Sequence, residues 1–238
     1  PTIANVQHGV AAFEASGADF IVALGGGSVI DTAKGVGIVT NNPEFADVKS
    51  LEGPADTHRR AVPTFALPTT AGTAAEVTIN YVIIDEEARK KMVCVDPNDI
   101  PSVAIVDPEL MASVPPSLTA FQGFDALFHN TEVMISRFVN VLSEPIALSA
   151  IGYIAEYLPR AVKDGGDIEA REGVAYGSTI AGLTMQLTST TAEHSMEHAM
   201  SAYHHDLPHG AGLIMISNEF YRFFVERHVC DGQFVKMA

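Results

Sequence analysis

Short apolar runs alternate with helical spacings in the first half of the chain. Each run is followed by glycine, threonine or a polar turn, which predicts a buried strand. The predicted strands span 19–24, 62–70 and 103–107, and the runs at 77–85 and 91–96 predict a hairpin. Helical spacing is present between Thr2, a predicted cap, and Gly17, and again over 28–40. This alternation is typical of an α/β domain with a parallel sheet.

The pattern changes near Pro115 and Pro116. Apolar residues then recur with helical spacing, and strand-like runs disappear. The predicted helices span 117–136, 143–162, 167–187 and 190–203. We therefore predict two domains, a Rossmann-like α/β domain at 1–115 and an all-helical domain at 116–238.

Composition and charge limit the classes of protein to which the chain can belong. The chain has 238 residues, of which 47% are hydrophobic, and a formal net charge of −15. An acidic surface argues against binding to nucleic acid or to an anionic membrane. There is no apolar run long enough to predict a transmembrane helix. Two cysteines in a chain of this length fit a reducing compartment, so we expect a cytoplasmic protein.

A glycine-rich turn lies between the first predicted strand and the next helix. In LGGGSVIDTAKG, residues 24–35, three glycines let the backbone approach a ligand closely, and the helix start at Ser28 favours an anion such as a pyrophosphate. Ile30 replaces the last glycine of the GxGxxG fingerprint, and no Walker lysine follows. A plain strand–helix turn is the alternative interpretation. A second strand end rich in threonine, LPTTAGTAAE at 67–76, would line the same crevice of a parallel sheet.

Histidines at helical spacing indicate a metal site. Asp125 and His129 are four residues apart, as are His194 and His198, and His209 follows a proline at the start of another predicted helix. Nitrogen and oxygen ligands from separate elements suit iron or zinc. Such a pair on a helix, taken alone, is more often an ordinary part of the surface or the core than a metal site. The combination of both pairs with His209 favours a metal site. The adjacent His204 and His205 are interpreted as loop residues without a ligand role.

Four motifs in this order resemble the iron-containing (group III) alcohol dehydrogenase family. They are GGGSVIDTAKG, LPTTAGTAAE, GFDALFH and HSMEHAMSAYHHDLPHG, and residues 1–111 are especially similar to its lactaldehyde reductase and propanediol dehydrogenase branch. The resemblance implies a dehydroquinate synthase-like fold, in which a Rossmann-like domain precedes an all-helical domain. Chains of the family are longer, so we expect this chain to lack the first strands and the last helices.

The resemblance also implies roles for individual residues. The family's metal ligands fall on Asp125, His129, His194 and His209, and the histidine that helps to move protons falls on His198. The positions that contact the cofactor fall on Gly26, Gly27, Ser28, Asp31, Thr69, Thr70, Thr73, Thr78 and Lys91. Asp31 at a helix start and Lys91 in a hairpin also have ordinary structural interpretations.

The reaction implied is hydride transfer between NAD or NADP and a small alcohol, diol or aldehyde. The implied metal is Fe2+, with Zn2+ as the alternative, and the implied assembly is a homo-oligomer, a dimer or larger. Three other functions stay open: a lyase of the dehydroquinate synthase type, a metal-dependent hydrolase, and an inactive truncated remnant of the family.

Overall fold

The computed structural model describes residues 1–204 and 206–238, and its contacts divide them into two compact units. The first unit contains Pro1–Thr69 and Ala75–Asp107, and the second contains Thr70–Ala74 and Pro108–Ala238. These are geometric units, and the domain boundary near residue 115 stays a prediction.

The first unit is an α/β structure. Its helices are α1 (Ile3–Ser16) and α2 (Gly27–Asn41), and its strands are β1 (Ile21–Gly25), β2 (Gly53–Pro54), β3 (Thr64–Pro68), β4 (Asn80–Asp85), β5 (Lys90–Val95) and β6 (Val103–Ala104). One parallel sheet has the order β1-β3-β6, and a second sheet has the order β2-β5-β4. In the second sheet β4 and β5 are antiparallel, which confirms the predicted hairpin.

The ends of α1 follow from its sequence. The Thr2 side chain accepts a hydrogen bond from the Asn5 N–H group (3.2 Å), which satisfies one of the free donors of the first turn. Gly17 ends the helix in the left-handed conformation, with φ at 67°. Val6 faces the core, where it packs with Val36 and Ile83. The predicted helix between Thr2 and Gly17 is therefore confirmed.

Two predicted strands are less buried than expected. The run at 19–24 forms β1, but Val22 is 58% exposed and Leu24 56% exposed. The run at 103–107 forms only the two-residue β6, which lies at an edge of its sheet. Val103 is 41% exposed and Ile105 46% exposed, so the prediction of a buried strand is wrong. An apolar run has the same appearance in a central strand and in an edge strand, because the sequence does not show which strands pair.

The second unit is built around six helices within the described residues. They are α3 (Pro116–Ile135), α4 (Ser143–Lys163), α5 (Ile168–Leu187), α6 (Ala192–Tyr203), α7 (His209–Glu226) and α8 (Asp231–Met237). Four of them match the four predicted helices. The last, α8, was not predicted, since its seven residues carry little apolar periodicity.

A buried arginine on α5 forms hydrogen bonds with residues at and just before the start of α3. Arg171 donates hydrogen bonds to the Thr119 hydroxyl (2.7 Å) and to the Val114 carbonyl (2.9 Å). Farther along, Ala126 packs with Ile154 and Leu158 in an apolar core. These contacts fix the axis of α3, the helix that carries Asp125 and His129.

No helix in the described part of the chain is both long enough and apolar enough to cross a membrane.

Candidate metal centre and cofactor turn

Helix α3 carries two ligand-type side chains one turn apart. Asp125 and His129 are buried, with 3% and 7% of their surface exposed. The Nδ1 atom of His129 lies 3.6 Å from the Oδ1 atom of Asp125. Their spacing of four residues explains this proximity, because such residues share a helix face.

Helices α6 and α7 bring two more imidazoles to the same carboxylate oxygen. The Nε2 atom of His194 lies 3.4 Å from Asp125 Oδ1, and the Nε2 atom of His209 lies 3.5 Å from it. The rings of His129 and His194 are stacked with centroids 4.3 Å apart. One carboxylate oxygen is thus surrounded by three imidazole nitrogens that come from three helices.

The close approach of α7 to α3 depends on Gly210. A Cβ atom built at this position would overlap the backbone carbonyl of Phe121 on α3. Only glycine avoids the overlap without a shift of one helix. Because Gly210 follows His209 directly at the start of α7, the same close approach carries the His209 ring to Asp125.

Two buried glutamates, which were not predicted as part of the site, hold the outer nitrogens of these histidines. The carboxylate of Glu132 contacts Nδ1 of His194, and the carboxylate of Glu197 contacts Nδ1 of His209. Both glutamates are fully buried. Glu132 also accepts hydrogen bonds from the N–H groups of Thr191 (2.9 Å) and Glu193 (3.1 Å). A carboxylate on the far nitrogen fixes the orientation of a histidine ligand.

A weak sequence signal for these glutamates exists. Glu132 is three residues after His129, and Glu197 is three residues after His194, so each lies on the helix face of a candidate ligand. Acidic residues at such spacings are common on exposed helix faces. Glu132 and Glu197 differ from them in being buried.

The protonation states differ across the cluster. Burial raises the pKa of Asp125, but the imidazoles, His129 foremost, outweigh it and hold the pKa below its ordinary range. Burial lowers the pKa of His129 to about 4. Burial also opposes protonation of His194, but Asp125 and Glu132 raise its pKa to about 10. Without a metal, His194 therefore carries a proton and His129 is neutral.

The donor set fits a divalent transition metal. The buried Nδ1 atom of His129 makes no hydrogen bond to any described residue, so no such bond competes with a cation for this atom. Ligand atoms of Asp125, His129 and His194 all lie within 4.8 Å of one another. One carboxylate with three imidazoles, without thiolate, suits iron or zinc and keeps coordination positions for a small molecule.

The other histidines of this segment have distinct surroundings. His198 is partly exposed, and its ring centroid lies 5.3 Å from that of His209. His204 is exposed at the end of α6. His205 lies outside the described residues, so its predicted lack of a ligand role stays a prediction.

The glycine turn joins β1 to α2 in the first unit. Gly26 caps α2, and no side chain among the described residues accepts a hydrogen bond at this end. Gly27 and Ser28 thus begin the helix at its positive end, where an anion binds favourably. The Thr69 N–H group donates to the Gly25 carbonyl (3.0 Å), so the ends of β1 and β3 lie side by side.

Other predicted cofactor residues make structural contacts. Asp31 accepts a hydrogen bond from the Val82 N–H group (2.9 Å), and burial raises its pKa to about 6. The Thr78 hydroxyl accepts from the buried Lys34 ammonium group (3.0 Å) and donates to the Asn80 carbonyl (2.9 Å).

The remaining predicted cofactor residues are divided between the two units. Lys91 lies on β5, whereas Thr70 and Thr73 belong to the second unit. The roles of all these residues toward a cofactor stay predictions.

Two family models match the chain. The model for iron-containing alcohol dehydrogenase matches residues 1–108, and the model for the C-terminal region of the Fe-containing alcohol dehydrogenase family matches residues 119–237. Together they cover nearly the whole sequence.

Individual proteins are similar as well. Lactaldehyde reductase of Escherichia coli is 49% identical over 210 residues, which are 88% of this chain and 54% of that protein. The crystal structure of a 1,3-propanediol oxidoreductase matches with a TM-score of 0.88 and 37% identity, over 94% of this chain and 58% of that one. Sulfoacetaldehyde reductase from Bifidobacterium kashiwanohense, solved in complex with NAD+, matches with a TM-score of 0.85 and 34% identity, over 94% and 59% of the two chains. The chain thus spans about half the length of the curated relatives it matches.

Proposed function

Because the chain belongs to the iron-containing alcohol dehydrogenase family, we propose that it is part of a metal-dependent alcohol dehydrogenase or aldehyde reductase. The reaction is hydride transfer between a nicotinamide cofactor and a small alcohol, diol or aldehyde. The observation that carries the proposal is the meeting of three imidazole nitrogens at the Oδ1 atom of Asp125. The lyase, the hydrolase and the inactive remnant have no comparable support in the comparisons.

Asp125, His129, His194 and His209 are the proposed ligands of the metal. We take this metal to be iron, as the family name states, with zinc as the alternative. When bound, the metal supplies Lewis acidity toward an alcohol or carbonyl oxygen, and the nicotinamide supplies or accepts the hydride. The burial of Asp125, His129 and His194 keeps water away from the ligand set.

Glu132 and Glu197 have a positioning role in this account. Each carboxylate contacts the Nδ1 atom of its histidine, as the acceptor of a hydrogen bond, so that Nε2 of His194 and Nε2 of His209 are directed toward Asp125. This arrangement fixes the orientation of both rings before a metal binds, which lowers the free-energy cost of assembling the site.

His198 is the proposed proton carrier. It lies one helical turn after His194 and beside the His209 ring, and it is partly exposed. Its imidazole can therefore take up the proton of an alcohol hydroxyl and release it to solvent, and it can return the proton during aldehyde reduction.

The turn at Gly26, Gly27 and Ser28 is the proposed pyrophosphate site. Its free N–H groups at the start of α2 match the negative charge of the pyrophosphate. The proposed neighbours of the cofactor are Asp31, Thr69, Thr70, Thr73, Thr78 and Lys91. We propose NAD rather than NADP as the cofactor, because a similar reductase was solved in complex with NAD+.

The proposed substrates are short aldehydes and vicinal or terminal diols. Support comes from the relatives that act on lactaldehyde and 1,3-propanediol. We further propose a cytoplasmic protein, because both Cys94 and Cys230 are free thiols, and a homo-oligomer, as the family resemblance implies.

The experiment is a substrate screen with the purified, iron-loaded protein under argon. NADH oxidation is followed with lactaldehyde, 3-hydroxypropanal and short linear aldehydes, and NAD+ reduction with the matching alcohols. We expect turnover with at least one of these pairs. A folded, metal-loaded protein that binds NADH and turns over none of them would contradict the proposal.

A further inference from the structure

A second cluster of metal-binding side chains lies beside the first. Glu197 and His198 are neighbours on α6, and His209 begins α7. Each offers one ligand atom, and these atoms all lie within 4.8 Å of one another. His198 belongs to this cluster and makes no contribution to the group of Asp125, His129 and His194.

The two clusters share the His209 ring. Its Nε2 atom lies 3.5 Å from Oδ1 of Asp125, while its Nδ1 atom contacts the Glu197 carboxylate. The ring therefore lies between two carboxylates, one in each cluster. An imidazole has two nitrogens on different sides of the ring, so one His209 side chain can bind two cations once its remaining N–H proton has been lost.

The charge and access of the second cluster also suit a cation. Glu197 is a fully buried carboxylate, whereas the His209 side chain is 25% exposed and His198 is partly exposed. The carboxylate is thus the buried member of the cluster, and the two imidazoles are its more exposed members. The Asp125 side chain, in contrast, is only 4% exposed.

The position of Glu197 is fixed by its neighbour on α7. A Cβ atom at Gly212 would lie 2.8 Å from Cγ of Glu197, so the missing side chain there leaves room for the glutamate. The carboxylate is consequently held against His209 before a cation binds, which reduces the cost of ordering the ligands.

We propose that Glu197, His198 and His209 form a second site for a divalent metal such as zinc, next to the proposed catalytic centre. Two imidazoles and one carboxylate are a ligand set that zinc takes with a water molecule in the remaining position. A cation that enters replaces the proton shared by His209 and Glu197, and this proton leaves to solvent.

Occupation of this site has a functional consequence that rests on the proposed function. A cation bound to His198 removes the proposed proton carrier, so zinc added to the iron-loaded protein inhibits it as the second site fills. Metal binding itself does not depend on the reaction.

The test is a titration of the metal-free protein with Zn2+ alone, followed by calorimetry and by metal analysis after desalting. We expect two zinc ions per chain for the natural sequence and one for His198→Asn. His129→Asn, which alters only the first cluster, also binds one. His204→Asn, an exposed histidine at the end of α6, is the matched control and binds two.

Far-ultraviolet circular dichroism and urea unfolding establish that each variant is folded, and His198→Gln replaces His198→Asn if the latter is not. A single zinc ion in the natural sequence, or two in a folded His198 variant, would overturn the second site and leave the proposed function intact. Failure of the natural sequence to bind any zinc would overturn the second site, and failure to bind iron as well would overturn the proposed function.

Discussion

The carboxylate of Glu132 contacts the Nδ1 atom of His194, a residue 62 positions later in the chain. The other nitrogen of the same ring faces Asp125 at 3.4 Å. One histidine thus lies between two buried carboxylates, and its proposed role as a metal ligand depends on both.

Glu132→Gln tests the positioning role. The amide keeps the shape of the side chain but lacks the charge that orients the His194 ring, so we expect metal affinity to fall by about 10- to 100-fold. Competition with a chelator measures this affinity. Glu156→Gln, an exposed residue of α4, is the control and should bind metal like the natural sequence. Equal affinities for the two variants would show that Glu132 has no such role.

Gly210→Ala tests the close approach of α7 to α3. The added methyl group overlaps the Phe121 carbonyl, so we expect a loss of about 1–3 kcal/mol in the free energy of unfolding together with weaker metal retention. In the matched control Gly152→Ala the new Cβ meets nothing within 4 Å inside α4, so the protein should gain up to about 1 kcal/mol. Urea unfolding measures the stability of both variants. A Gly210→Ala protein as stable as the natural sequence would contradict the close packing of α7 against α3.

The pH dependence of stability tests the burial of Asp31. Burial raises its pKa from 3.8 to about 6, so the folded state binds more protons than the unfolded state between these values. Its contribution to stability is therefore present at low pH and is lost as the pH rises through 6.

Asp31→Asn keeps an oxygen for the Val82 N–H group and cannot ionise. We expect its free energy of unfolding, relative to that of the natural sequence, to rise by about 1–3 kcal/mol between pH 4 and pH 7. Urea unfolding at several pH values gives this difference, with the exposed Asp19→Asn as control. A pH-independent difference would contradict the account.

Ser28→Asp tests the proposed pyrophosphate site. A carboxylate at the start of α2 interacts favourably with the helix dipole but repels a pyrophosphate, so stability should be equal or higher while the Kd for NADH rises by about tenfold. NADH fluorescence measures Kd, and thermal unfolding measures stability. A variant that binds NADH as tightly as the natural sequence would exclude this turn as the anion site.

Local patterns account for much of the fold. Thr2 and Gly17 mark both ends of α1, and the spacing of Asp125 and His129 places them on one face of a helix, because both features depend on neighbours along the chain. The strand at 103–107 was predicted, but its exposure was not, because an edge position depends on distant pairing. The short α8 was missed because its helical spacing is too brief to recognise.

The candidate site could be predicted only in part. The spacings near Asp125, His194 and His209 indicate the ligand types, but the meeting of three helices at one carboxylate oxygen is a tertiary feature. Glu132 and Glu197 differ from surface glutamates only in their burial, which no local pattern records. The sharing of His209 between two clusters depends on the orientation of one ring, which a sequence does not specify.

The most direct test compares His209→Ala with His198→Ala for iron content and turnover in the same samples. His209→Ala should lose its iron on desalting, because a proposed ligand is missing. His198→Ala should retain about one iron per chain and turn over about 10²- to 10⁴-fold more slowly. A His209→Ala protein that keeps iron and activity, or a His198→Ala protein that loses iron as fully as His209→Ala, would contradict the assignment of the metal centre.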